Sequence, residues 1–178
     1  LLFVGGFNHP PNVDAARWLV TEILPLVNAA SRDVHVHLVG SNPGEQVLAL
    51  ASAQVTVHGY VSDEELAALY RQVGLAVVPL RYGAGVKGKV IEAVQHNVPL
   101  VTTPVGAEGI PDANEVLWVA DSAPAVAAAI TGIIEGTAAP EPRMAHYGDW
   151  LAAHFSRAQA EAMLRRDLPP PLREAAAG

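Results

Sequence analysis

Three basic side chains and a glycine-rich bend lie together in one short segment of the chain. Arg81, Lys87 and Lys89 flank the bend at 83–85, and the two lysines are the only ones in the 178 residues. The apolar run 75–80 before the bend is typical of a buried strand, and an amphipathic helical pattern follows the bend. Backbone N–H groups at a helix N-terminus attract anions. Basic side chains beside such a helix start therefore predict a phosphate site.

Other interpretations of this segment fit its position less well. Residues 83–88 have the spacing G-x-G-x-x-G, but they follow the fourth predicted strand, and the next strand ends Val101-Thr102-Thr103 without the acidic residue of a dinucleotide site. The spacing of a P-loop is absent. A solvated helix start remains an alternative, although cations there oppose the helix dipole by about 0.3–1 kcal/mol each. Lysines at this place therefore favour an anionic partner.

The composition restricts the classes of partner. With 51% hydrophobic residues the chain can bury a substantial core, and one α/β domain is expected at this length. A net charge of −7 argues against a nucleic-acid surface. The absence of cysteine excludes disulfides and thiolate metal sites, and we expect no bound metal. No apolar run reaches the roughly 18–20 residues of a membrane span, and no signal peptide is evident.

Short apolar runs alternate with longer amphipathic ones, which predicts a doubly wound, Rossmann-like α/β fold with a parallel sheet of about six strands. The predicted strands are Leu1–Gly5, Val34–Gly40, Val55–His58, Leu75–Pro79, Pro99–Thr103 and Val116–Ala120. The predicted helices are Asn12–Ala29, Glu45–Ala51, Asp63–Gln72, Val86–His96, Pro124–Glu135, Arg143–Phe155 and Ser156–Asp167. Ligands of such a sheet bind outside the carboxyl ends of its strands.

Local sequence also predicts where helices and the domain begin and end. Ser62 and Glu65 have the spacing of a capping box, Asn12 is a candidate cap of the first helix, and Pro124 suits a first helical turn. The segment 136–142 is typical of a linker. We expect residues 1–167 to form one domain and residues 168–178 a disordered tail. Because the chain starts without Met inside an apolar segment, we expect a longer polypeptide to contain it.

Seven landmarks of the sequence occur in the order in which one enzyme family has them. They are Phe3-Val4-Gly5-Gly6, His9-Pro10-Pro11-Asn12 with 22–25, Val39-Gly40, His58-Gly59-Tyr60-Val61 with 65–66 and 69–70, Val78-Pro79-Leu80-Arg81 with Gly85 and 89–93, Pro99 to Thr103, and Gly106 to Gly109. The resemblance as a whole extends over about residues 1–165. The chain therefore resembles the C-terminal, nucleotide-sugar-binding half of a retaining GT-B glycosyltransferase of family 4, also called group 1.

The resemblance implies a function and a cellular setting. The domain would bind a nucleoside diphosphate sugar as substrate, without a tightly bound cofactor, and the sugar would pass to an acceptor with retention of configuration. The acceptor would bind to an N-terminal domain outside this chain. We therefore expect the chain alone to be inactive. We also expect a cytoplasmic location, with any membrane association made through that other domain.

The resemblance also assigns residues to the donor. In the family, the second Glu of an E-x7-E pair bonds the ribose, and Glu92 matches it, whereas Ala84 stands at the first position. The turn 6–12 lacks the Arg and Lys that many members use for the diphosphate. The residues expected to replace them are Arg81, Lys87 and Lys89, of which Arg81 and Lys89 would stabilise the leaving diphosphate. The further expected donor contacts are Gly5, Gly6, His9, Val61, Gly85, Gly106 and Glu108.

Two alternative functions remain open. A sugar-nucleotide epimerase of the same architecture would use carboxylates and His as acid and base. A non-catalytic module that binds a nucleotide or a partner protein is consistent with the loss of a carboxylate at Ala84. His35 and His37 share one face of a predicted strand. Zinc needs three or four converging ligands, so we interpret these histidines as packing residues.

Overall fold

The computed structural model describes residues 1–30 and 34–156. Six strands form its sheet: β1 (Leu2–Val4), β2 (Val36–Val39), β3 (Val55–Gly59), β4 (Ala76–Val78), β5 (Leu100–Thr102) and β6 (Trp118–Val119). Their order is β3-β2-β1-β4-β5-β6, and every neighbouring pair is parallel. The predicted Rossmann-like α/β fold is thus confirmed.

The strand order reverses at β1. The chain adds β2 and β3 on one side of β1 and then returns to place β4 on its other side, with Leu2 opposite Ala76. Connections that leave the carboxyl ends of β1 and β4 diverge to opposite faces of the sheet, which leaves a crevice between them. Gly5 and Gly6 follow β1, and the basic segment 81–89 follows β4. Parallel pairing therefore brings these two segments, far apart in sequence, to one crevice.

Helices connect the strands, and their bounds differ from the prediction mainly at the ends. They are α1 (Pro10–Trp18), α2 (Leu24–Ala30), α3 (Glu45–Leu48), α4 (Asp63–Gln72), α5 (Gly88–Gln95), α6 (Ala113–Val116), α7 (Ala123–Ile134), α8 (Glu141–Met144) and α9 (Tyr147–His154). A π-helical turn, Leu19–Ile23, joins α1 to α2. It precedes Pro25, which lacks the N–H that a continuous α-helix would use.

The first helix begins earlier than predicted, and the predicted cap is wrong. Its N-cap is His9, and Pro10 and Pro11 occupy the first two helical positions, where a missing N–H costs nothing. Asn12 therefore lies inside the first turn, where it is 7% exposed. Its side chain points back to the loop after β1 and donates from Nδ2 to the carbonyl oxygen of Gly6 at 2.8 Å.

The predicted capping box of α4 is confirmed. The backbone N–H of Ser62 donates to Glu65 Oε2 at 2.8 Å, and the backbone N–H of Glu65 donates to Ser62 Oγ at 3.2 Å. The observed helix, Asp63–Gln72, has the predicted bounds. Ser122 likewise caps α7, which has Pro124 in its first turn as predicted.

The C-terminal part departs most from the prediction. Helix α6 occupies residues where a strand was predicted to begin, so β6 is shortened to two residues. A four-residue helix is too short to show a periodicity in the sequence. The predicted helix Arg143–Phe155 is divided into α8 and α9. Apart from Ser156, the predicted helix Ser156–Asp167 lies outside the described residues, as does the predicted tail 168–178.

The core lies on both faces of the sheet. Its largest fully buried side chains include residues of strands β1, β2 and β5, of the π-helical turn between α1 and α2, and of α7 and α9. They include Phe3, Leu19, Ile23, Leu38, Leu100, Ile130 and Tyr147. Within residues 1–30 and 34–156, no helix has the length and apolar character needed to cross a membrane.

Candidate functional site

A cavity of about 240 Å³ lies at the crevice between the carboxyl ends of β1 and β4. The start of α1, the loop after β4 and the start of α5 form its walls. Its lining residues are His9, Pro11, Asn12, Leu80, Tyr82, Gly83, Ala84, Val86, Lys87, Gly88 and Lys89. None of these described lining residues is Asp or Glu, so the side-chain charge at the cavity is positive.

Lys89 is the central basic group of this cavity. Its Nζ donates to Asn12 Oδ1 at 2.5 Å and lies 4.9 Å from the centroid of the Phe3 ring. The ammonium group therefore has a neutral hydrogen-bond acceptor and an aromatic face as near neighbours. An amide oxygen satisfies one of the three N–H donors without neutralising the charge.

The environment of Lys89 disfavours its charged form. Burial, and to a smaller extent the positive charge of Lys87, lowers the pKa of the Lys89 ammonium to about 8, although the Glu92 carboxylate acts in the opposite direction. An anion bound in the cavity would offset the cost of burying the charge. Lys89 is thus a desolvated cation beside a cavity, and an anionic ligand would supply the countercharge that it lacks.

Lys87 is held differently from Lys89. It is the N-cap of α5, where no side chain caps the helix. Its Nζ donates to the carbonyl oxygens of Gly83 and Gly85 and lies 3.4 Å from Glu108 Oε2. The lysine therefore closes its own loop and ties it to the segment after β5. The uncapped N–H groups of α5 remain directed towards the cavity end of the helix.

The side chains of Lys89 and Asn12 lie so close to the backbone of Gly5 that a Cβ there would not fit. A Cβ at Gly5 would lie 2.6 Å from Lys89 Nζ and 2.8 Å from Asn12 Cγ. Such distances are shorter than van der Waals contact, so only glycine leaves both side chains in place. Gly6 has more room, since the nearest atom to its Cβ would be Asn8 Oδ1 at 3.3 Å.

Arg81 follows β4, as the two lysines do, but it does not line the cavity. It forms a bidentate ion pair with Asp14, from Nε to Oδ2 at 2.8 Å and from the guanidinium NH2 group to Oδ1 at 2.5 Å. Its guanidinium lies 5.3 Å from the centroid of the Trp18 ring. The hydrogen bond from Arg81 holds the pKa of the Asp14 carboxyl below its usual value. The charge of Arg81 is thus already paired on the surface of α1.

Glu92 lies one turn further along α5 and outside the cavity. Its Oε2 accepts a hydrogen bond from Tyr70 Oη at 3.2 Å. Tyr70 is 2% exposed and stacks on His96 with ring centroids 4.4 Å apart. Burial, together with the negative charge of Glu92, raises the pKa of the Tyr70 hydroxyl above its usual value. Tyr70 therefore stays a hydrogen-bond donor that orients the carboxylate.

The other predicted donor contacts are spread along the carboxyl edge of the sheet. His9 lines the cavity, whereas Val61 follows the edge strand β3, with β2 between that strand and β1. Gly85 is exposed in the loop after β4. Gly106 is buried, and its N–H donates to Thr103 Oγ1 at 3.1 Å, so that donor is already used. Glu108 is exposed and contacts Lys87.

A larger cavity of about 600 Å³ lies between α1 and α3. Its charged lining residues are Asp14, Arg17 and Glu45, and Asp14 is already paired with Arg81. It contains neither lysine nor the start of α5. The smaller cavity is therefore the candidate anion site, because charge and helix geometry converge there.

Three histidines form a separate cluster: His35 just before β2, His37 on β2 and His58 on β3. His37 Nδ1 lies 2.9 Å from His58 Nε2, and His35 Nε2 lies 2.8 Å from Thr56 Oγ1. Burial, followed by the charges of the neighbouring His35 and His58, lowers the pKa of His37 to about 4. Among the described residues, no group of three or more His, Cys, Asp or Glu side chains is placed to hold a metal ion.

Two residues that contact the predicted site were not recognised from the sequence as part of it. Asn12 was interpreted as a cap, although Pro10 and Pro11 already indicated a helix start that leaves Asn12 inside the first turn. Tyr70 was noted within a landmark of the family and not as a site residue, since its hydroxyl partner lies 22 positions away. No local pattern links Tyr70 to Glu92.

Comparison with known proteins gives one family. A family model described as "Glycosyl transferases group 1" matches residues 1–136. A Klebsiella pneumoniae protein described as "Uncharacterized 44.6 kDa protein in cps region" is 29% identical over 116 residues, which are 61% of this chain and 30% of that protein. The chain thus spans about a third of the length of this relative.

Two solved structures are similar in fold. TarM superposes with a TM-score of 0.74 at 16% identity, over 92% of this chain and 34% of its own. The sucrose-phosphate synthase of Thermosynechococcus elongatus superposes with a TM-score of 0.72 at 23% identity, over 99% of this chain and 45% of its own. At these identities the likeness is one of fold, and both structures are more than twice as long as the matched region.

Proposed function

The chain belongs to the group 1 glycosyltransferases, and we propose that it binds the nucleoside diphosphate sugar from which the sugar is transferred. Its fold matches that of GT-B neighbours. The observation that carries the proposal is the cavity between β1 and β4, where Lys89 and the uncapped start of α5 meet. A desolvated ammonium and a helix N-terminus both bind phosphate oxygens.

This cavity binds the diphosphate part of the nucleoside diphosphate sugar. A hydrogen bond from Lys89 or from an α5 N–H group to a phosphate oxygen contributes roughly 1.5–3 kcal/mol. As the bond to the sugar breaks, negative charge grows on the leaving diphosphate, and the same donors stabilise it. Lys87 joins them when phosphate displaces the exposed carboxylate of Glu108. Binding and leaving-group stabilisation thus use the same groups.

The remaining contacts extend from the diphosphate along the sheet edge. Glu92, oriented by Tyr70, accepts a hydrogen bond from the ribose. The backbone after β3, at Val61, meets the base. The residues proposed to surround the phosphates and sugar are Gly5, Gly6, His9, Gly85, Gly106 and Glu108. Retention of configuration, an acceptor bound by another domain, and a cytoplasmic location belong to the same proposal.

Sugar transfer is favoured over epimerisation by the cavity lining. An epimerase needs a carboxylate and a second acid or base near the sugar. His9 is present among the described lining residues, whereas the nearby carboxylate of Glu108 lies outside that lining and contacts Lys87. A cationic lining stabilises a leaving diphosphate instead.

Calorimetry tests the proposal directly. The chain is titrated with uridine, guanosine, adenosine and thymidine diphosphates and with the matching monophosphates. We expect at least one diphosphate to bind, and to bind more tightly than its monophosphate, because the second phosphate reaches more donors. Lys89→Glu is expected to lower affinity by about 100-fold or more, which corresponds to about 2.7 kcal/mol.

A matched control separates this effect from general charge. Arg71 is exposed on α4 and does not line the cavity, so Arg71→Glu changes the net charge equally and should leave affinity unchanged. Absence of binding of all four diphosphates at millimolar concentration would contradict the proposal. Undiminished binding by a folded Lys89→Glu variant would contradict the assignment of the cavity.

A further inference from the structure

We propose that Asn12 is a positioning residue that holds the Lys89 ammonium at the cavity while leaving its charge free for the anionic ligand. The meaning of this role for catalysis rests on the proposed function. The positioning itself is a property of the chain without ligand, and it can be measured separately.

Both the nitrogen and the oxygen of the Asn12 side-chain amide form hydrogen bonds. Nδ2 donates to the carbonyl oxygen of Gly6 at 2.8 Å, and Oδ1 accepts from Lys89 Nζ at 2.5 Å. Because Asn12 is 7% exposed, water does not compete strongly for either bond. The first bond fixes which way the amide points, and the second then places Nζ above the end of β1. Asn12 thus couples the turn after β1 to the lysine after β4.

A neutral acceptor has a different consequence from a charged one. A carboxylate at position 12 would form an ion pair with Lys89 and neutralise it, as Asp14 does for Arg81. The amide satisfies one N–H donor and leaves the positive charge uncompensated. The other charged groups that act on Lys89 are Lys87 and Glu92, and they have opposite effects. Compensation of the charge is therefore left to the ligand.

Asn12→Asp is the variant that tests this role, because it keeps the shape of the side chain and adds a charge. Lysine side chains are labelled and their ammonium signals are titrated by NMR in the chain without ligand. Only two lysines exist, so Lys87→Arg assigns both signals. We expect Asn12→Asp to raise the pKa of Lys89 by about one unit or more, and to weaken binding of the best nucleoside diphosphate by about tenfold.

Asn8→Asp is the matched control. Asn8 lies in the loop just before α1, is exposed, and lines the separate cavity between α1 and α3. The same added charge at Asn8 should therefore change the pKa of Lys89 and the diphosphate affinity very little. A Lys89 pKa that is the same in a folded Asn12→Asp variant as in the unmodified chain would overturn the proposal. A raised pKa with undiminished diphosphate binding would overturn it too, because the charge would then not need to be free.

The two proposals fail in different ways. If the unmodified chain binds no nucleoside diphosphate, the proposed function fails, and the NMR titration still decides whether Asn12 positions Lys89. Asn12→Ala adds a second check, because loss of the amide should broaden or shift the Lys89 signal while Lys87 stays unchanged. Identical Lys89 signals in that variant would contradict the positioning role.

Discussion

Lys89 and Arg81 both follow β4, yet the structure holds them in opposite ways. Arg81 forms two hydrogen bonds to a carboxylate, and its side chain is 46% exposed. Lys89 bonds to an amide oxygen, and burial lowers its pKa to about 8. One cation is satisfied before any ligand arrives, whereas the other has a hydrogen bond but no countercharge.

The difference shows how the same charge can be structural or functional. An exposed ion pair contributes about 0–1 kcal/mol to stability and is screened by salt. A desolvated cation costs free energy in the unliganded chain, and that cost is recovered when an anion binds. The kind of partner, more than the presence of a basic residue, therefore decides which side chain can serve a diphosphate.

After Lys89→Glu, the largest effect in this comparison is expected from Gly5→Ala. The added Cβ would displace the Lys89 ammonium and press on the buried Asn12, while the Arg81–Asp14 pair lies outside its reach. Calorimetry should show diphosphate affinity lowered by about 30-fold or more, and denaturant unfolding should show a loss of about 1–3 kcal/mol from overpacking.

Gly74→Ala is the control for Gly5→Ala, since no atom lies within 4 Å of a Cβ there. It should leave affinity unchanged. Wild-type affinity in the Gly5→Ala variant would mean that Lys89 does not need its observed place.

Raising the pH is expected to have an intermediate effect on diphosphate affinity. Because the charged form of Lys89 binds the anion and its pKa is about 8, affinity should be full below that pH and fall about tenfold between pH 7 and pH 9. The terminal phosphate, with a second pKa of about 6, only gains negative charge over that range, so its ionisation does not account for a fall in affinity. Isothermal titration at several pH values measures the change.

Lys89→Arg sharpens the pH test. A guanidinium keeps its charge through this range, so any binding that remains in this variant should be independent of pH. An equally steep decline in Lys89→Arg would assign the pH dependence to another group.

The smallest effect is expected at Arg81. Arg81→Met together with Asp14→Leu removes the whole ion pair and leaves no charge unpaired. Affinity should change by less than about threefold, and stability by about 0–1 kcal/mol. A loss of affinity as large as that of Lys89→Glu would break the comparison and restore Arg81 as a diphosphate ligand.

Elements with strong local signals were predicted well. Helix α4 has its predicted bounds because the Ser62–Glu65 capping box and a three-residue acidic first turn act within one turn of the helix. Elements without such signals were not. Helices α6 and α8 have four residues each, too few for a periodic pattern. The start of α1 was misplaced because an Asn before an apolar face was given more weight than two prolines.

The arrangement of the candidate site could be predicted only in part for the same reason. Lys87, Lys89 and the glycine bend are neighbours in sequence, so the sequence itself shows a pattern typical of anion binding. The partner of each cation was not visible. Asp14 is 67 positions from Arg81, and Asn12 is 77 positions from Lys89, and no sequence pattern indicates which of these two residues of α1 faces which cation.

The amino-acid sequence alone determined the strand and helix alternation, the carboxyl edge of the sheet that carries the candidate site, and the basic helix start, because each depends on periodicity or on residues close in the chain. The tertiary structure decided which basic residue has its charge free. That choice depends on burial and on the chemical nature of a partner brought across the crevice between β1 and β4. Asn12 and Asp14 are two positions apart on one helix, and helix geometry turns them towards different cations.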